Sequence, residues 1–269
     1  MTSQEYVHGY TEVEATRLAD QAGTLAELLH HDTEYPAGSR VLEVGCGVGA
    51  QTRILARRSP AARFVSVDVS ADSLALARAA ITSENLANVE FQQADLFALP
   101  FADTSFDHVF VCFVLEHLRR PEEALRALLR VLRPGGSLTV IEGDHGSAFF
   151  HPKSTRAQRT IECLNQAQAA AGGDALIGRR LYPLLRAAGL DDVQVSPRFV
   201  YADSSRPSWV DGFTRKTFIA MVEGAADPAL RLGLIDQASW DEGITDLKRS
   251  AEGDGTFCYT FFKAIARKA

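Results

Sequence analysis

The chain has 269 residues, of which 46% are hydrophobic and 23% are charged, and its formal net charge is −6 at pH 7. These values are typical of a globular protein large enough to bury one core of α/β size. The negative charge disfavours a broad nucleic-acid-binding surface. No stretch approaches the ~18 consecutive apolar residues of a membrane-spanning helix, so no membrane span is expected.

Four cysteines lie far apart in the chain and form no C-x-x-C pair: Cys46, Cys112, Cys163 and Cys258. Such spacing suits neither a zinc site nor a disulfide framework, and it favours reduced thiols. The first eight residues lack the basic-then-apolar pattern of a secretion signal. We therefore expect a cytoplasmic protein.

Residues 1–39 precede the first predicted strand and are expected to form an N-terminal helical cap. Thr11 followed by Glu14 resembles a capping box, and the apolar residues that follow recur at helical spacing, which predicts a helix over residues 11–31. Tyr6 and Tyr10 come before this helix. They either anchor the helix to the core or close over a bound cofactor, and both alternatives stay open.

Apolar runs then alternate with helical patterns, which predicts an α/β fold with a parallel, doubly wound sheet and right-handed crossovers. The predicted strands are Arg40–Val44, Arg63–Val67, Val89–Gln92, Phe106–Phe113, Ser137–Glu142, Val193–Tyr201 and Thr256–Arg267. The predicted helices are Gln51–Arg58, Ala71–Glu84, Pro121–Leu132, residues 151–171 and Leu176–Ala188.

The alternation breaks after Glu142, where residues 147–178 and 204–250 interrupt it. In an open α/β sheet, ligands bind outside the carboxyl ends of the strands, and both interruptions fall near that edge. We expect them to shape a substrate pocket within a single domain. The candidate wall residues are Phe149, Phe150, Tyr201, Trp209 and Phe213. Two alternatives stay open, namely that these aromatic residues belong to the core and that the interruptions only form a homodimer contact or decorate the surface.

Three glycines, Gly45, Gly47 and Gly49, stand between the first strand and the following helix. A glycine-rich turn that leads into a helix N-terminus is typical of a nucleotide-cofactor site, because backbone N–H groups face the ligand there. The spacing Gly45-x-Gly47-x-x-Ala50 also fits the dinucleotide fingerprint. Asp68 ends the second strand, 19 residues beyond Gly49, where a carboxylate can accept hydrogen bonds from ribose hydroxyls. These residues leave NAD and S-adenosylmethionine both open.

Two further features favour S-adenosylmethionine. Ala94-Asp95-Leu96 follows the third strand, where a carboxylate can accept a hydrogen bond from an adenine amino group. Glu43 lies inside the first strand, where a buried charge is costly unless it is paired or hydrogen-bonded. The sulfonium and the ammonium of S-adenosylmethionine would offset the cost of burying this carboxylate.

Five segments together resemble the successive motifs of class I S-adenosylmethionine-dependent methyltransferases. They are Val41–Gly49, Val67–Ser70, Ala94-Asp95, Phe106–Leu118 and Leu132–Gly136, in family order and at family spacing. The resemblance covers residues 38–145 closely and implies a Rossmann-like sheet of seven strands with the last one antiparallel. It also implies a cofactor site. Along the methionine part it would have Gly45, Cys46 and Gly47, with Phe113 by the methionine end and Gly49, Gln51 and Thr52 at the start of the helix beneath it. Asp68 would lie at the ribose, and the adenine would be surrounded by Val69, Ala94, Asp95 and Leu96. Tyr6 and Tyr10 would form a cap.

The candidate catalytic residues follow the fourth and fifth strands. Glu116-His117 resembles a pair in quinone O-methyltransferases, some of which bind a divalent ion, but Phe113 stands where those enzymes add a Glu, so no metal is expected. In Glu142-Gly-Asp-His-Gly-Ser147, two glycines are expected to fix a turn. Because histidine titrates near neutrality, His145 is the first candidate for a general base, oriented by Glu142 or Asp144. A purely structural turn is the alternative.

The resemblance extends to a small-molecule subgroup near the enzymes of quinone biosynthesis and secondary metabolism. It implies methyl transfer to a small aromatic or heteroaromatic acceptor, such as an indole or a phenol, with a quinone-pathway acceptor as the alternative. An NAD-dependent oxidoreductase and a non-catalytic cofactor-binding protein also stay open. Nucleic acid is not an expected partner, because the charge is unfavourable and no Asn-Pro-Pro-Tyr-type motif follows the fourth strand.

Overall fold

A computed structural model describes residues 22–269. Tyr6, Tyr10 and the predicted capping box lie outside these residues. The described part of the first helix, α1, covers residues 22–30 and agrees with the predicted helix there. The strands are β1 (Arg40–Val44), β2 (Arg63–Asp68), β3 (Val89–Gln93), β4 (Phe106–Cys112), β5 (Leu132–His151), β6 (Leu190–Ala202) and β7 (Thr256–Lys268).

These strands form one sheet in the order β3-β2-β1-β4-β5-β7-β6. Neighbours from β3 to β5 pair in parallel, and β7 runs antiparallel to both β5 and β6. The predicted fold class, a Rossmann-like sheet with an antiparallel last strand, is therefore confirmed. In the centre of the sheet, residues 109–111 of β4 are fully buried, as expected for a parallel strand covered on both faces.

The helices cover both faces of the sheet, so that the sheet lies between two apolar cores. They are α2 (Ala50–Arg58), α3 (Ala71–Ser83), α4 (Pro121–Val131), α5 (Thr155–Ala170), α6 (Leu181–Ala187), α7 (Pro207–Trp209), α8 (Ala220–Glu223), α9 (Ala226–Arg231) and α10 (Gln237–Lys248). Single 3-10 turns lie at Leu96–Ala98, Leu115–His117, Ile177–Arg180 and Arg249–Ala251. Within residues 22–269, no helix is both long enough and apolar enough to cross a bilayer.

The fifth strand is much longer than predicted, since β5 spans 20 residues and continues past Glu142 to His151. Its outer part pairs with β7, with a register shift between Asp144 and Phe149. The predicted turn fixed by two glycines is therefore wrong. Both glycines instead leave room for side chains, because a Cβ at Gly143 would overlap the Tyr259 hydroxyl and a Cβ at Gly146 would lie 2.7 Å from Arg179 Nη2.

The second interruption is mostly helical, as predicted, and it contains a ten-residue π-helix at Val210–Ile219. Phe213 and Phe218 are five residues apart, so the wider i, i+5 repeat of a π-helix places them on one face. Both ring centroids lie 5.5 Å from that of Tyr259 in β7. The second interruption therefore covers the outer, antiparallel part of the sheet.

Candidate active site

The glycine turn after β1 has the tight geometry that its sequence predicts. Gly45, Gly47 and Gly49 have φ values of +72°, +51° and +78°, in the left-handed region that favours glycine. Gly49 stands before α2, where a Cβ would lie 3.0 Å from Ala77 Cβ in α3. This glycine therefore allows two helices to approach each other closely beneath the turn.

Gly47 faces the open side of the turn, because a Cβ there would meet no heavy atom within 4 Å. Its N–H donates to Asp68 Oδ2 at 2.8 Å, and the Ser70 N–H donates to Asp68 Oδ1 at 2.9 Å. A carboxylate has about four acceptor positions, so two donors leave Asp68 able to accept from a diol. Val69 is 55% exposed beside it. This combination of a fixed carboxylate, an open glycine and an exposed apolar side chain fits the ribose and adenine of a nucleoside.

The turn after β3 lies next to Asp68. The Ala94 N–H donates to the Asp68 carbonyl at 3.0 Å, which fixes the two strand ends side by side. Asp95 is exposed and accepts from the Phe97 N–H at 2.9 Å, while Leu96 is buried. The structure thus brings Asp68, Val69 and Asp95 to the same sheet edge, as their order in the chain predicts.

Glu43 and Thr52 lie beneath the glycine turn. The Thr52 and Ser66 hydroxyls donate to Glu43 Oε2 at 2.6 and 2.7 Å. Burial raises the pKa of Glu43 to about 7, although these two hydrogen bonds oppose the shift. Glu43 is 2% exposed and Thr52 is fully buried, so both support the turn from inside. This corrects the prediction that Thr52 and Glu43 contact a cofactor directly.

Gln51 connects α2 to α1. Its Oε1 lies 2.7 Å from His30 Nε2. Burial is the main cause that lowers the pKa of His30 to about 4, so the ring is neutral near pH 7 and its Nε2–H donates to Gln51. Cys46 is also buried, and burial raises the pKa of its thiol. A protonated, buried thiol agrees with a packing role for Cys46.

The chain turns sharply after β4, at the carboxyl edge of the sheet. Phe113 has φ = +58°, a left-handed conformation that costs a non-glycine residue roughly 1–2 kcal/mol. Its N–H donates to the Ile141 carbonyl at 2.9 Å, and its ring lies 5.4 Å from that of Phe261. Strained residues of this kind cluster at binding sites, which agrees with the position predicted for Phe113.

Glu142 holds the turn after β4. Its carboxyl group accepts from the Val114, Leu115 and Glu116 N–H groups at 3.1, 2.8 and 3.4 Å. Burial, together with the nearby charge of Glu116, raises the pKa of Glu142 well above its ordinary value. Asp144 instead accepts two 2.8 Å hydrogen bonds from Arg179.

The prediction that Glu142 or Asp144 orients His145 is therefore wrong. Side chains alternate between the two faces of a strand, and Gly143 and His145 face Tyr259, whereas Glu142 and Asp144 bind partners on the other face. Neither Tyr259 nor Arg179 was predicted from the sequence as a site residue.

His145 is buried between Tyr259 and Glu116. The Tyr259 hydroxyl lies 2.7 Å from Nδ1 of His145, and Oε2 of Glu116 lies 3.6 Å from Nε2. Burial is the main cause that raises the pKa of Tyr259 well above its ordinary value, so its O–H is present near neutrality. The neighbours assign the tautomer: Tyr259 donates to Nδ1, and Nε2 carries the proton that faces Glu116. Nε2 of His117 lies 3.6 Å from the other carboxylate oxygen of Glu116.

The predicted aromatic walls divide between two faces of the outer sheet. Phe213 packs on Tyr259, and Phe218, which the sequence analysis did not select, lies edge-on to His145 at 6.3 Å. Phe149 and Tyr201 both stand opposite Cys258, on the face that points away from Tyr259. They are 57% and 42% exposed, so they do not line the space around His145, and their place in a pocket wall stays a prediction. Phe150 stacks on Phe257, and Trp209 packs at the edge of the core.

Residues 42–140 match a protein-family model described as "Methyltransferase domain". This segment of the chain is therefore similar to methyltransferase domains. The match covers the glycine turn, Asp68, Asp95 and the turn after β4, and it agrees with the sheet order. Gly45-x-Gly47-x-x-Ala50 therefore lies in the segment that matches a methyltransferase domain, which favours S-adenosylmethionine over NAD as the cofactor.

The chain has curated relatives that align with less than half of its length. It is 37% identical over 126 residues to methyltransferase GfsG of Streptomyces halstedii, covering 46% of this chain and 45% of that protein. It is 40% identical over 120 residues to the ubiquinone/menaquinone biosynthesis C-methyltransferase UbiE of Pseudomonas paraeruginosa, covering 44% and 47%. The chain thus spans about half the length of the curated relatives it matches.

Solved structures share the fold of the methyltransferase domain over nearly the whole chain. Phosphoethanolamine N-methyltransferase 2 of Haemonchus contortus, solved with S-adenosylhomocysteine, is 18% identical with a TM-score of 0.60, over 99% of this chain and 59% of that one. The cyclase SpnF is 24% identical with a TM-score of 0.52, over 98% and 85%. The fold therefore occurs in proteins with different named activities.

Proposed function

We propose that the chain binds S-adenosylmethionine and transfers its methyl group to a small aromatic or heteroaromatic metabolite. The methyltransferase domain match supports the donor. The proposal about the methyl-accepting substrate rests on the buried arrangement of His145 between Tyr259 and Glu116, next to the ring of Phe218. The Asp68 carboxylate, which the Gly47 N–H fixes at 2.8 Å, would hold the ribose, and Val69 would flank the adenine.

The bound cofactor supplies an electrophilic methyl group on a positively charged sulfur. The chain's residues have to exclude water and hold the acceptor in line with that group. The aromatic side chains around Tyr259 exclude water, and their flat faces suit a ring-shaped acceptor. Phe113 fixes the end of β4 beside the predicted methionine part.

The proton that a hydroxyl or ring N–H substrate loses would pass to the Tyr259 oxygen while the Tyr259 proton passes to Nδ1 of His145, because Nε2 already carries a proton. The Tyr259 hydroxyl keeps Nδ1 in its acceptor form before the reaction. Uptake of a proton produces an imidazolium, which the Glu116 carboxylate at 3.6 Å from Nε2 stabilises. Glu142 would act by holding the turn that presents Glu116.

The donor is tested by calorimetry with S-adenosylhomocysteine and, separately, NADH. We expect binding of the first and no binding of the second, and the reverse result contradicts the proposal. The acceptor is tested with labelled S-adenosylmethionine, a library of indoles and phenols, and mass spectrometry of the products. Cofactor binding without transfer to any library member would instead favour a non-catalytic cofactor-binding protein.

The role of His145 is tested by His145→Ala with His151→Ala as the matched control, since His151 is exposed at the end of the same strand. General-base catalysis contributes about 10²–10⁴-fold, so we expect His145→Ala to lower kcat at least about 100-fold and His151→Ala to leave it within about twofold. If His145→Ala keeps its rate within a few-fold of wild type, His145 is not the base.

A quinone-pathway acceptor is the second candidate, and the 40% identity to UbiE supports it. The two candidates differ in the position of the new methyl group. Transfer to a ring carbon of a quinol would favour the quinone pathway, whereas transfer to oxygen or nitrogen of a phenol or indole would favour the first proposal. We also propose a cytoplasmic location, which the four unpaired, buried cysteines support.

A further inference from the structure

The helix α5 carries two buried amide oxygens that find no donor among residues 22–269. Gln168 is 1% exposed, yet within this part of the chain its Oε1 has no hydrogen-bond partner, and neither has the buried Oδ1 of Asn165. A buried acceptor without a donor is costly, so two of them on one helix call for an explanation.

The orientation of Gln168 is fixed by its neighbours. Its Nε2 donates to the Glu116 carbonyl at 3.1 Å and faces Glu116 Oε2 at 3.4 Å. Both neighbours are acceptors, so a flipped amide would place Oε1 against two oxygens. The unpartnered oxygen is therefore Oε1, and it lies at the candidate active site because the same amide group binds Glu116.

Asn165 lies one turn before Gln168 in α5. Residues three apart in a helix are neighbours on one face, so both amides stand on the side that packs against the core through Ile161 and Leu164. The turn that follows α5 also packs against the turn after β4, since the Asp174 N–H donates to the Glu116 carbonyl at 2.8 Å. Two parts of the first interruption thus meet at Glu116.

Hydrogen-bond acceptors predominate in this region. The Glu116 carboxylate lies 3.6 Å from His145 and from His117. Of the two neighbouring buried acids, Glu142 accepts from three backbone N–H groups and Asp144 is paired with Arg179. The two amide oxygens add acceptor capacity without adding charge. A ligand group that donates hydrogen bonds would satisfy all of these atoms, whereas an ether or ketone oxygen would leave them unpaired.

We propose that Asn165, Gln168 and Glu116 form a subsite that binds an O–H or N–H group of the substrate that receives the methyl group. This inference rests on the proposed function, because it assigns the acceptor's polar group to a place beside the reacting centre. It narrows the acceptor class to molecules that carry a hydroxyl or an amine, and it makes α5 a determinant of specificity. Gln168 has a further positioning role, since its Nε2 holds Glu116.

The test measures binding of matched probes by calorimetry, with and without saturating S-adenosylhomocysteine. The pairs are phenol against anisole and indole against 1-methylindole, in which only the donor is removed. A site built to bind a donor rejects the analogue that lacks it, so we expect phenol and indole to bind at least about 10-fold more tightly than their methylated partners. Benzyl alcohol and benzylamine then show whether a neutral hydroxyl or an ammonium is preferred.

The variants Asn165→Leu and Gln168→Met remove one acceptor each and should reduce the donor preference to about twofold or less. Asn165→Asp keeps an acceptor and should retain the preference. Gln166→Leu is the matched control, because Gln166 is exposed on the same helix. Asn165→Leu should also fold with an unchanged or higher Tm, since it removes an unpaired buried oxygen without removing a bond.

Three results would overturn the subsite: equal binding of both members of each pair, no binding of any donor-bearing probe, or an undiminished preference in both Asn165→Leu and Gln168→Met. A fall of several degrees in the Tm of Asn165→Leu would also overturn it, because Oδ1 would then serve the fold. Failure of S-adenosylhomocysteine to bind contradicts the proposed function instead, and the titrations without it still judge the subsite.

Discussion

The close approach of α2 and α3 beneath the glycine turn can be tested at Gly49. Gly49 and Gly38 both have φ = +78°, but their surroundings differ. A Cβ at Gly49 would lie 3.0 Å from Ala77 Cβ and 3.2 Å from Ala77 Cα, whereas a Cβ at Gly38 would meet nothing within 4 Å. Gly38→Ala is therefore a matched control that has the same backbone strain without the steric conflict.

The expected magnitudes follow from these two terms. Left-handed alanine costs roughly 1–2 kcal/mol, and the stiffer unfolded chain offsets about 0.4–1 kcal/mol of this. Gly38→Ala should therefore lower the free energy of unfolding by about 1 kcal/mol. Gly49→Ala adds an overpacking cost of about 1–3 kcal/mol, for a total of roughly 2–4 kcal/mol and a fall in Tm of about 5–10 °C.

Urea unfolding followed by circular dichroism measures both variants. A second substitution, Ala77→Gly, removes the nearest atom, so a double-mutant cycle with Gly49→Ala should show a favourable coupling of about 1 kcal/mol. Equal losses in Gly49→Ala and Gly38→Ala, or a coupling near zero, would refute the packing argument and leave only the backbone term.

Three further substitutions test ionisable residues. Because the pKa of Glu43 in the folded state is raised to about 7, the Tm of the wild type should fall as pH rises from about 4.5 to 7. The Tm of Glu43→Gln should fall less over that range. Parallel curves of Tm against pH would contradict this. Lys263 is buried and its Nζ binds Asp32 Oδ1 and Thr33 Oγ1 at 2.5 and 2.6 Å, so Lys263→Met should lose about 2 kcal/mol in urea unfolding, discounted for the partly exposed Asp32; no loss would show that the ammonium is replaceable. Asp68→Asn should weaken S-adenosylhomocysteine binding about 10–100-fold by calorimetry, since hydrogen bonds to a charged group are lost, and an affinity within twofold of wild type would argue against its role at the ribose.

Local patterns predicted the inner part of the fold well. The bounds of β1 agree with the prediction, and those of β2, β3 and β4 differ by one residue, because apolar runs there end at turn-forming residues. The glycine turn and Asp68 could be placed for the same reason, since a strand, a turn and a helix follow each other within a few residues.

The outer part of the sheet could not be predicted in this way. Residues 143–147 contain two glycines and an aspartate, which are poor strand formers. They continue β5 because β7 pairs with Gly143 and Asp144 and again from Phe149 onward. Tyr259 lies 114 residues from His145, and Gln168 lies 52 residues from Glu116. No spacing in the chain reveals such contacts, so the partners of His145 and Glu116 came only from the structure.

The position of β7 between β5 and β6 has a kinetic consequence. β6 is an edge strand whose sole neighbour in the described sheet is β7, although β6 comes earlier in the chain. Residues 190–202 therefore have no place in the sheet until residues 256–268 have docked beside β5. Folding slows as contacts become less local, and an unpaired strand edge is prone to aggregate. We expect docking of β7 to limit the rate at which the acceptor side of the molecule forms, while the cofactor side, built from β1 to β4, assembles first.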